Sequence, residues 1–413
     1  MGLLETVKDE QQRQELTRVP AAGLVHGVVS MVEQDYRWMR PLRFVEEQMR
    51  ALGSVQAWHP GLYRQMARTS AGICVEFDTD AREVALEVRL DAEPRGTREV
   101  LAVVDRAQGT LPRPHDGVSA DVDGRHLPCV MPADGVELVS FSLVSGDPEE
   151  ALGLIALPGL ARTRRVRIWL PCLRGCVIRD VYCDGTFIRP VAHRKVLLAL
   201  GDSITQGFVA DDPAFAWPSL LAQRLGLDVV NQGVGGQVFQ PGSLLGLAGV
   251  VDVARIVVAF GENYRYEPCI ARRVSRDVRS YLLEVARLWP QVPTCVLTPF
   301  WHDEEAWPSR SNSCFDQVPS FITAHTASHD QMVVIDGLDL LDHDSALMAD
   351  GYEHPGERGM RQIATRLNAV IRVPGLRASS VGRRRPRKRK ALPEVTGDGL
   401  PNGMLPLPLD ELL

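Results

Sequence analysis

The stretch VLLALGDSITQG, residues 196–207, decides how this chain folds. Val196 to Leu200 is an unbroken apolar run, too short for a helix and closed by Gly201, which reads as a strand covered on both faces. Ser203 follows just past the carboxyl end of that strand, where a hydroxyl can face solvent while its own N–H points at a bound ligand. Taken alone, a serine in such a turn is more often a helix N-cap. The text downstream shifts that balance. Apolar runs at Val229–Val230, Arg255–Phe260, Thr294–Leu297 and Gln331–Ile335 alternate with helical patterns at Trp217–Leu225, Ala271–Trp289 and Glu357–Ile371. The alternation predicts parallel strands joined by right-handed crossovers, hence an α/β domain whose ligands bind beyond the carboxyl ends of the strands.

Three more segments fall on that same rim. The second strand runs into NQGVGG at 231–236, whose glycines let backbone approach a ligand and free N–H groups for donation. The third runs into Gly261-Glu262-Asn263, which puts a side-chain amide beyond the sheet edge. Near the last helix, DGYEHP at 350–355 sets His354 just ahead of a helix start. Together, GDSI at 201–204, NQGVGG, GEN and DGYEHP resemble the four blocks of the SGNH, or GDSL, hydrolase superfamily. The resemblance spans about residues 193–373 and implies a flavodoxin-like parallel sheet flanked by helices. It also implies roles. Ser203 would be the nucleophile, His354 the general base and Asp350 the carboxylate that orients the imidazole. The N–H of Ser203, that of Gly236 (or Gly235) and the Asn263 amide would form the oxyanion hole. Three positions depart from the pattern: Ile204 replaces the usual Leu of the first block, Tyr264 stands where an Asp commonly follows the third-block Asn, and Asp350 lies four residues before His354 where the family has three. A bulged loop would let Asp350 reach the imidazole; otherwise a backbone carbonyl or Glu353 would hold it.

Upstream the period changes. Residues 54–192 carry short, β-branched runs such as Gly72–Phe77, Glu83–Leu90, Glu99–Val104, Glu137–Val144 and Val166–Leu170, separated by turn clusters. That spacing predicts an all-β sandwich or jelly-roll domain, and with it the chain looks most like the two-domain branch of the superfamily. Residues 1–53, rich in Glu, Gln and Arg, are expected to be helical or irregular. Residues 374–413, with the basic run Arg383–Lys390 and a Pro/Gly-rich end, are expected to be a disordered tail.

Composition excludes several classes. The chain has 413 residues, 45% hydrophobic and 24% charged, and 46 Lys plus Arg against 52 Asp plus Glu give a formal charge of -6, so no nucleic-acid partner is expected. No apolar run approaches the roughly 20 residues of a membrane span, and the start lacks a secretory pattern, so a cytoplasmic protein without membrane association is expected. The eight cysteines sit mostly in apolar runs and lack zinc-ribbon spacing, and there is neither GxGxxG nor GxxxxGK, so no metal or organic cofactor is expected. Trp217, Trp301 and His302 are weaker candidates for lining a pocket. The expected function is a serine esterase acting on a small acyl ester, with a sugar or natural-product alcohol among the options. The rivals are an acyltransferase using the same acyl-Ser203 and a non-catalytic binding protein on the same scaffold.

Overall fold

Alternate residues of the strand at 196–201 enter two different cores. Leu197 and Ala199 pack with the helices Trp217–Leu225 and Glu357–Ile371. Val196, Leu198 and Leu200 pack on the opposite face with the helices Ala271–Leu288 and Val318–Thr326. Burial on both faces explains why the run shows no polar alternation, and each such Val or Leu contributes roughly 1.5–3 kcal/mol by leaving water. A computed structural model of the chain describes residues 3–8, 14–52, 60–94, 97–108, 116–133, 136–144, 162–265, 269–306 and 314–372. These all belong to one compact unit. The expected tail at 374–413 lies outside the described residues.

The strands in chain order are β1 (Thr17–Pro20), β2 (Val25–His26), β3 (Ser30–Asp35), β4 (Trp38–Leu42), β5 (Cys74–Thr79), β6 (Glu83–Leu90), β7 (Val118–Val122), β8 (Arg125–Val130) and β9 (Leu138–Ser142). They continue with β10 (Arg164–Trp169), β11 (Cys176–Cys183), β12 (Ile188–Pro190), β13 (Val196–Gly201), β14 (Asp228–Gly233), β15 (Val253–Ala259), β16 (Thr294–Leu297) and β17 (Met332–Ile335). The first twelve form two antiparallel sheets: β3-β4-β11-β6-β9, with β1 also on β11, and β12-β5-β10-β7-β8, with β2 also on β5. Their inner faces share one core containing Phe77, Leu86, Ile168 and Ile178. The last five form a parallel sheet in the order β14-β13-β15-β16-β17, which numbered within the sheet is the flavodoxin-like order 2-1-3-4-5.

Register converts this order into a site. In the parallel pairing Gly201 stands beside Gly233 on one side and Ala259 on the other, so β13, β14 and β15 end level. The segments that follow them, starting at Asp202, Val234 and Phe260, therefore emerge on one rim. This is where strand order reverses in such a sheet, and where a crevice opens.

Two expectations are corrected. Residues 1–53 are not simply helical or irregular, because β1 to β4 lie within them and join the antiparallel sheets. The polar composition concealed a hairpin whose exposed strand β3 needs few apolar residues, and whose tight turn takes Arg37 to φ +68°. Trp38 anchors it beneath the guanidinium groups of Arg89 and Arg179, at 4.0 and 4.8 Å. Within residues 40–52 only Glu46–Leu52 is helix. The run Glu99–Val104, read as a strand, lies in the helix Thr97–Gln108. There Leu101 and Val104, three apart and so on one helical face, pack with Phe208 and Val209. Among the described residues no helix is long and apolar enough to cross a membrane.

Candidate active site

Ser203 opens a single helical turn, Ser203–Gln206, whose N-cap is Asp202: its Oδ1 accepts the Ile204 N–H at 3.1 Å. Gly207, at φ +97°, ends the turn and donates its N–H to the Ser203 carbonyl. The capping role that a lone serine would fill thus belongs to its neighbour, and the Ser203 hydroxyl stays partly exposed. Its Oγ lies 2.9 Å from His354 Nε2, and His354 Nδ1 lies 2.6 Å from Asp350 Oδ2. An ionised carboxylate only accepts, so the proton of the neutral ring sits on Nδ1 and Nε2 is free to accept from the serine.

The loop before His354 absorbs its extra residue by wrapping around Asp350. Oδ1 of that carboxylate accepts three backbone N–H groups, from Tyr352 at 3.0 Å, Glu353 at 2.8 Å and His354 at 3.0 Å. Gly351 at φ +85° supplies the left-handed step. The Met348–Pro355 bridge and the Ala349 N–H to His354 carbonyl bond, 2.7 Å, close the loop at its base. Glu353 instead turns inward, with Oε1 3.8 Å from Arg265 Nη1.

Charge is concentrated beneath the histidine. Burial disfavours the charged imidazole, but the charge and hydrogen bond of Asp350, aided by Glu353 and Asp202, outweigh it and raise His354 above its ordinary value. Burial likewise works against the Asp350 carboxylate, yet His354 and the backbone N–H groups hold it below the usual range. Asp202 is pushed up to about 7, chiefly by burial, with the Ile204 N–H opposing and Glu353 adding to the rise. Glu262, whose Oε1 accepts the Phe300 N–H at 2.5 Å, is pushed well above the carboxylate range by burial and by the neighbouring carboxyls of Glu353 and Asp202.

On the other side of Ser203, Gly235 and Gly236 are no longer interchangeable. The Gly235 N–H is donated to Gln206 Oε1 at 2.9 Å, whereas Gly236 is exposed at φ +77°. Asn263 Nδ2 donates one hydrogen to the Gln237 carbonyl at 3.1 Å, which fixes the amide and leaves its second N–H. Ser203, Gly236 and Asn263 thus follow three strands that end level.

The weaker sequence candidates do not join this group. Trp217 is wholly buried in a core, Trp301 stacks on His343, and His302 bonds Glu304 at 2.8 Å while its ring edge meets Phe315. One neighbour was missed: Phe208 meets the His354 ring edge-on at 4.9 Å. No sequence pattern marks it; in the structure the turn after Ser203 takes Val209 and Asp211 to φ +54° and +70°, conformations costly for a β-branched residue and typical of constrained sites. Away from the rim, His26, His193 and Asp228 bring three potential metal-ligand atoms within 4.8 Å. Arg194 already donates to both oxygens of that carboxylate, 2.7 and 2.9 Å, and His26 Nδ1 sits 2.9 Å from Oδ2. That arrangement is a hydrogen-bonded tie between β2 and β14, and a cation there would face the Arg194 guanidinium.

Residues 199–362 match the model of the GDSL-like lipase/acylhydrolase family, so this part of the chain is a domain of that family. The fold recurs in solved structures over the β region as well. A protein of Bacteroides ovatus described as a GDSL-like lipase superposes with a TM-score of 0.63 at 16% identity, covering 86% of this chain and 97% of its own. The salicylyl-acyltransferase SsfX3 of a tetracycline biosynthetic pathway gives 0.62 at 15%, with the same coverage of 86% and 97%. A family two carbohydrate esterase from Clostridium thermocellum, solved with cellohexaose, gives 0.53 at 14%, covering 84% and 98%. No curated protein matches the chain.

Proposed function

We propose that the protein is a serine esterase that cleaves a small acyl ester through an acyl-Ser203 intermediate. The observation that carries this reading is the continuous relay from Ser203 Oγ to His354 Nε2, 2.9 Å, and from His354 Nδ1 to Asp350, 2.6 Å. Ser203 Oγ attacks the ester carbonyl carbon as its proton passes to His354 Nε2. The carbonyl π pair moves to oxygen, and the resulting oxyanion lies against the Ser203 and Gly236 N–H groups and the Asn263 amide. When the tetrahedral intermediate collapses, the bond to the alcohol oxygen breaks and His354 returns the proton to it. Water, deprotonated by the same nitrogen, then attacks the acyl carbon; the bond to Ser203 Oγ breaks, His354 returns the proton to that oxygen, and the acid leaves. Nothing in these steps calls for a metal or organic cofactor.

A second reading replaces water with a bound acceptor alcohol, and the fold shared with a salicylyl-acyltransferase keeps it in view. The test is labelling by a fluorophosphonate, followed by product analysis with acyl donors in the presence and absence of sugar and aromatic alcohols. Modification mapped to Ser203, with free acid released, supports the esterase. Ester formed in preference to acid supports the transferase, and absence of both label and turnover ends the enzymatic reading.

A further inference from the structure

Arg43, between β4 and the helix Glu46–Leu52, is wholly buried. All five of its N–H groups are spent, and none goes to a carboxylate. Nη1 donates to the carbonyls of Asn231 at 2.7 Å and Gly233 at 2.6 Å, Nη2 to the Met66 carbonyl at 2.6 Å and to Thr69 Oγ1 at 2.9 Å, and Nε to the Thr69 carbonyl at 2.9 Å. Burial pushes the guanidinium down to about 9. Burying a charge is expensive, and here the cost is offset by five hydrogen bonds to neutral oxygens, four of them main-chain carbonyls that an aliphatic side chain would leave without these donors. What the charge achieves is local. β14 is the edge strand of the parallel sheet, and Asn231 and Gly233 offer its last two outward carbonyls before the Val234–Gly236 turn. Arg43 ties that open edge to the end of the helix Pro60–Ala67.

The same helix reaches the turn itself. Tyr63 Oη donates to the Gly236 carbonyl at 2.6 Å. A Cβ on Gly235 would stand 2.6 Å from the Met66 sulfur, so the helix lies directly against the glycine pair. The Gly236 N–H is therefore bracketed: the preceding residue is held through its N–H by Gln206, and the following peptide through its carbonyl by Tyr63.

We infer that Tyr63 and Arg43, from the connection between β4 and β5, are positioning residues that aim the Gly236 N–H at the developing oxyanion. The inference rests on the esterase reading and adds to it that Arg43 and the helix Pro60–Ala67 position part of the oxyanion hole. Neither side chain is a catalytic residue, since each acts through the 231–236 loop.

Tyr63→Phe tests this, because it removes one hydroxyl and leaves the ring. Wild type and variant are compared on an ester and on its thionoester, whose sulfur is a weaker hydrogen-bond acceptor. The expected result is a kcat for the ester lowered roughly tenfold with KM little changed, and a reduced preference for ester over thionoester. The acidic limb of the pH profile should stay in place, because His354 and Asp350 are untouched. Arg43→Lys, which keeps the charge but cannot span all the carbonyls, should shift the ester-to-thionoester ratio the same way. A Tyr63→Phe enzyme with wild-type kcat overturns the inference, as does a slower one with an unchanged ratio, which would signal general loosening. A wild type with neither turnover nor fluorophosphonate label overturns the esterase reading and this inference together. A labelled, active wild type beside an indifferent Tyr63→Phe overturns the inference alone.

Discussion

Asp350→Asn places the sharpest demand on the geometry, because the carboxylate uses both oxygens and the amide has only one. In one orientation the new carbonyl keeps the three backbone N–H groups of Tyr352, Glu353 and His354. Its NH2 then faces His354 Nδ1, which must present a lone pair, so the ring proton moves to Nε2 and the serine proton has no acceptor. In the other orientation the carbonyl serves Nδ1, and the NH2 confronts three backbone donors, of which the buried Glu353 N–H alone costs about 1–3 kcal/mol. The first orientation therefore dominates, and with it the wrong tautomer. The expected loss in kcat is roughly 10²–10⁴, about 3–5 kcal/mol of barrier, with KM nearly unchanged. A second signature follows from charge. Asp350 is the main force raising His354 above its ordinary value, and the base must be neutral to act. Wild-type activity should therefore rise with pH through an ionisation above about 6.5, and the residual activity of the variant should rise at lower pH. The assay is kcat at saturating p-nitrophenyl acetate from about pH 5 to 10, with thermal unfolding to show that the variant folds. A folded Asp350→Asn enzyme within about tenfold of wild type would falsify the relay and make Glu353→Gln the next change to measure.

Ser203→Ala should abolish ester turnover and fluorophosphonate labelling while leaving the melting temperature nearly unchanged, since the partly exposed hydroxyl carries no core packing; turnover surviving in purified variant refutes the nucleophile. Asn263→Ala should lower kcat by roughly 10²–10³, about 3–4 kcal/mol, with little change in KM; an effect confined to KM would make the amide a ground-state contact instead. Asp202→Asn tests the buried charge. The folded value of about 7 lies above the unperturbed 3.8, so the folded state holds the proton more tightly, and stability present below the lower value is lost as pH rises through the upper one. Asparagine keeps the oxygen that caps the Ile204 N–H and removes the charge, so its melting advantage over wild type should be absent near pH 4 and grow until pH exceeds about 7; a difference that does not vary with pH counts against the raised carboxyl.

The parallel sheet was legible because its strands are covered on both faces, and that burial writes continuous apolar runs bounded by glycine and by helical periods. Thr294–Leu297 and the helix Glu357–Ile371 fall where the pattern put them. The antiparallel part was legible where alternation was strong, as in Glu83–Leu90, and misread where it was weak. The hairpin β3–β4 at a sheet edge has one largely exposed strand, so its polar text resembles a surface helix or loop. In Thr97–Gln108, a run of Val and Leu satisfies strand propensity as well as a helical face, and the choice is made by what packs against it, Phe208 and Val209.

The site divides along a similar line. The positions of Ser203, Asn263 and His354 were readable because each is placed by its own backbone: a strand end, a short turn and the approach to a helix. The distance from Asp350 to His354 in sequence looked like a flaw because counting residues assumes a fixed path between them. Three N–H groups converging on one oxygen show that the path is set by the carboxylate itself, and once Gly351 takes the left-handed step the additional residue supplies one more donor for that oxygen. Arg43 and Tyr63 had no such local signature. Arg43 lies 190 residues from Gly233 and Tyr63 173 from Gly236, and what they contact at those distant positions is main-chain carbonyl, which every residue type possesses and no sequence pattern marks. Side chains that serve another segment's backbone leave their trace only in the folded molecule, as a buried charge with no countercharge.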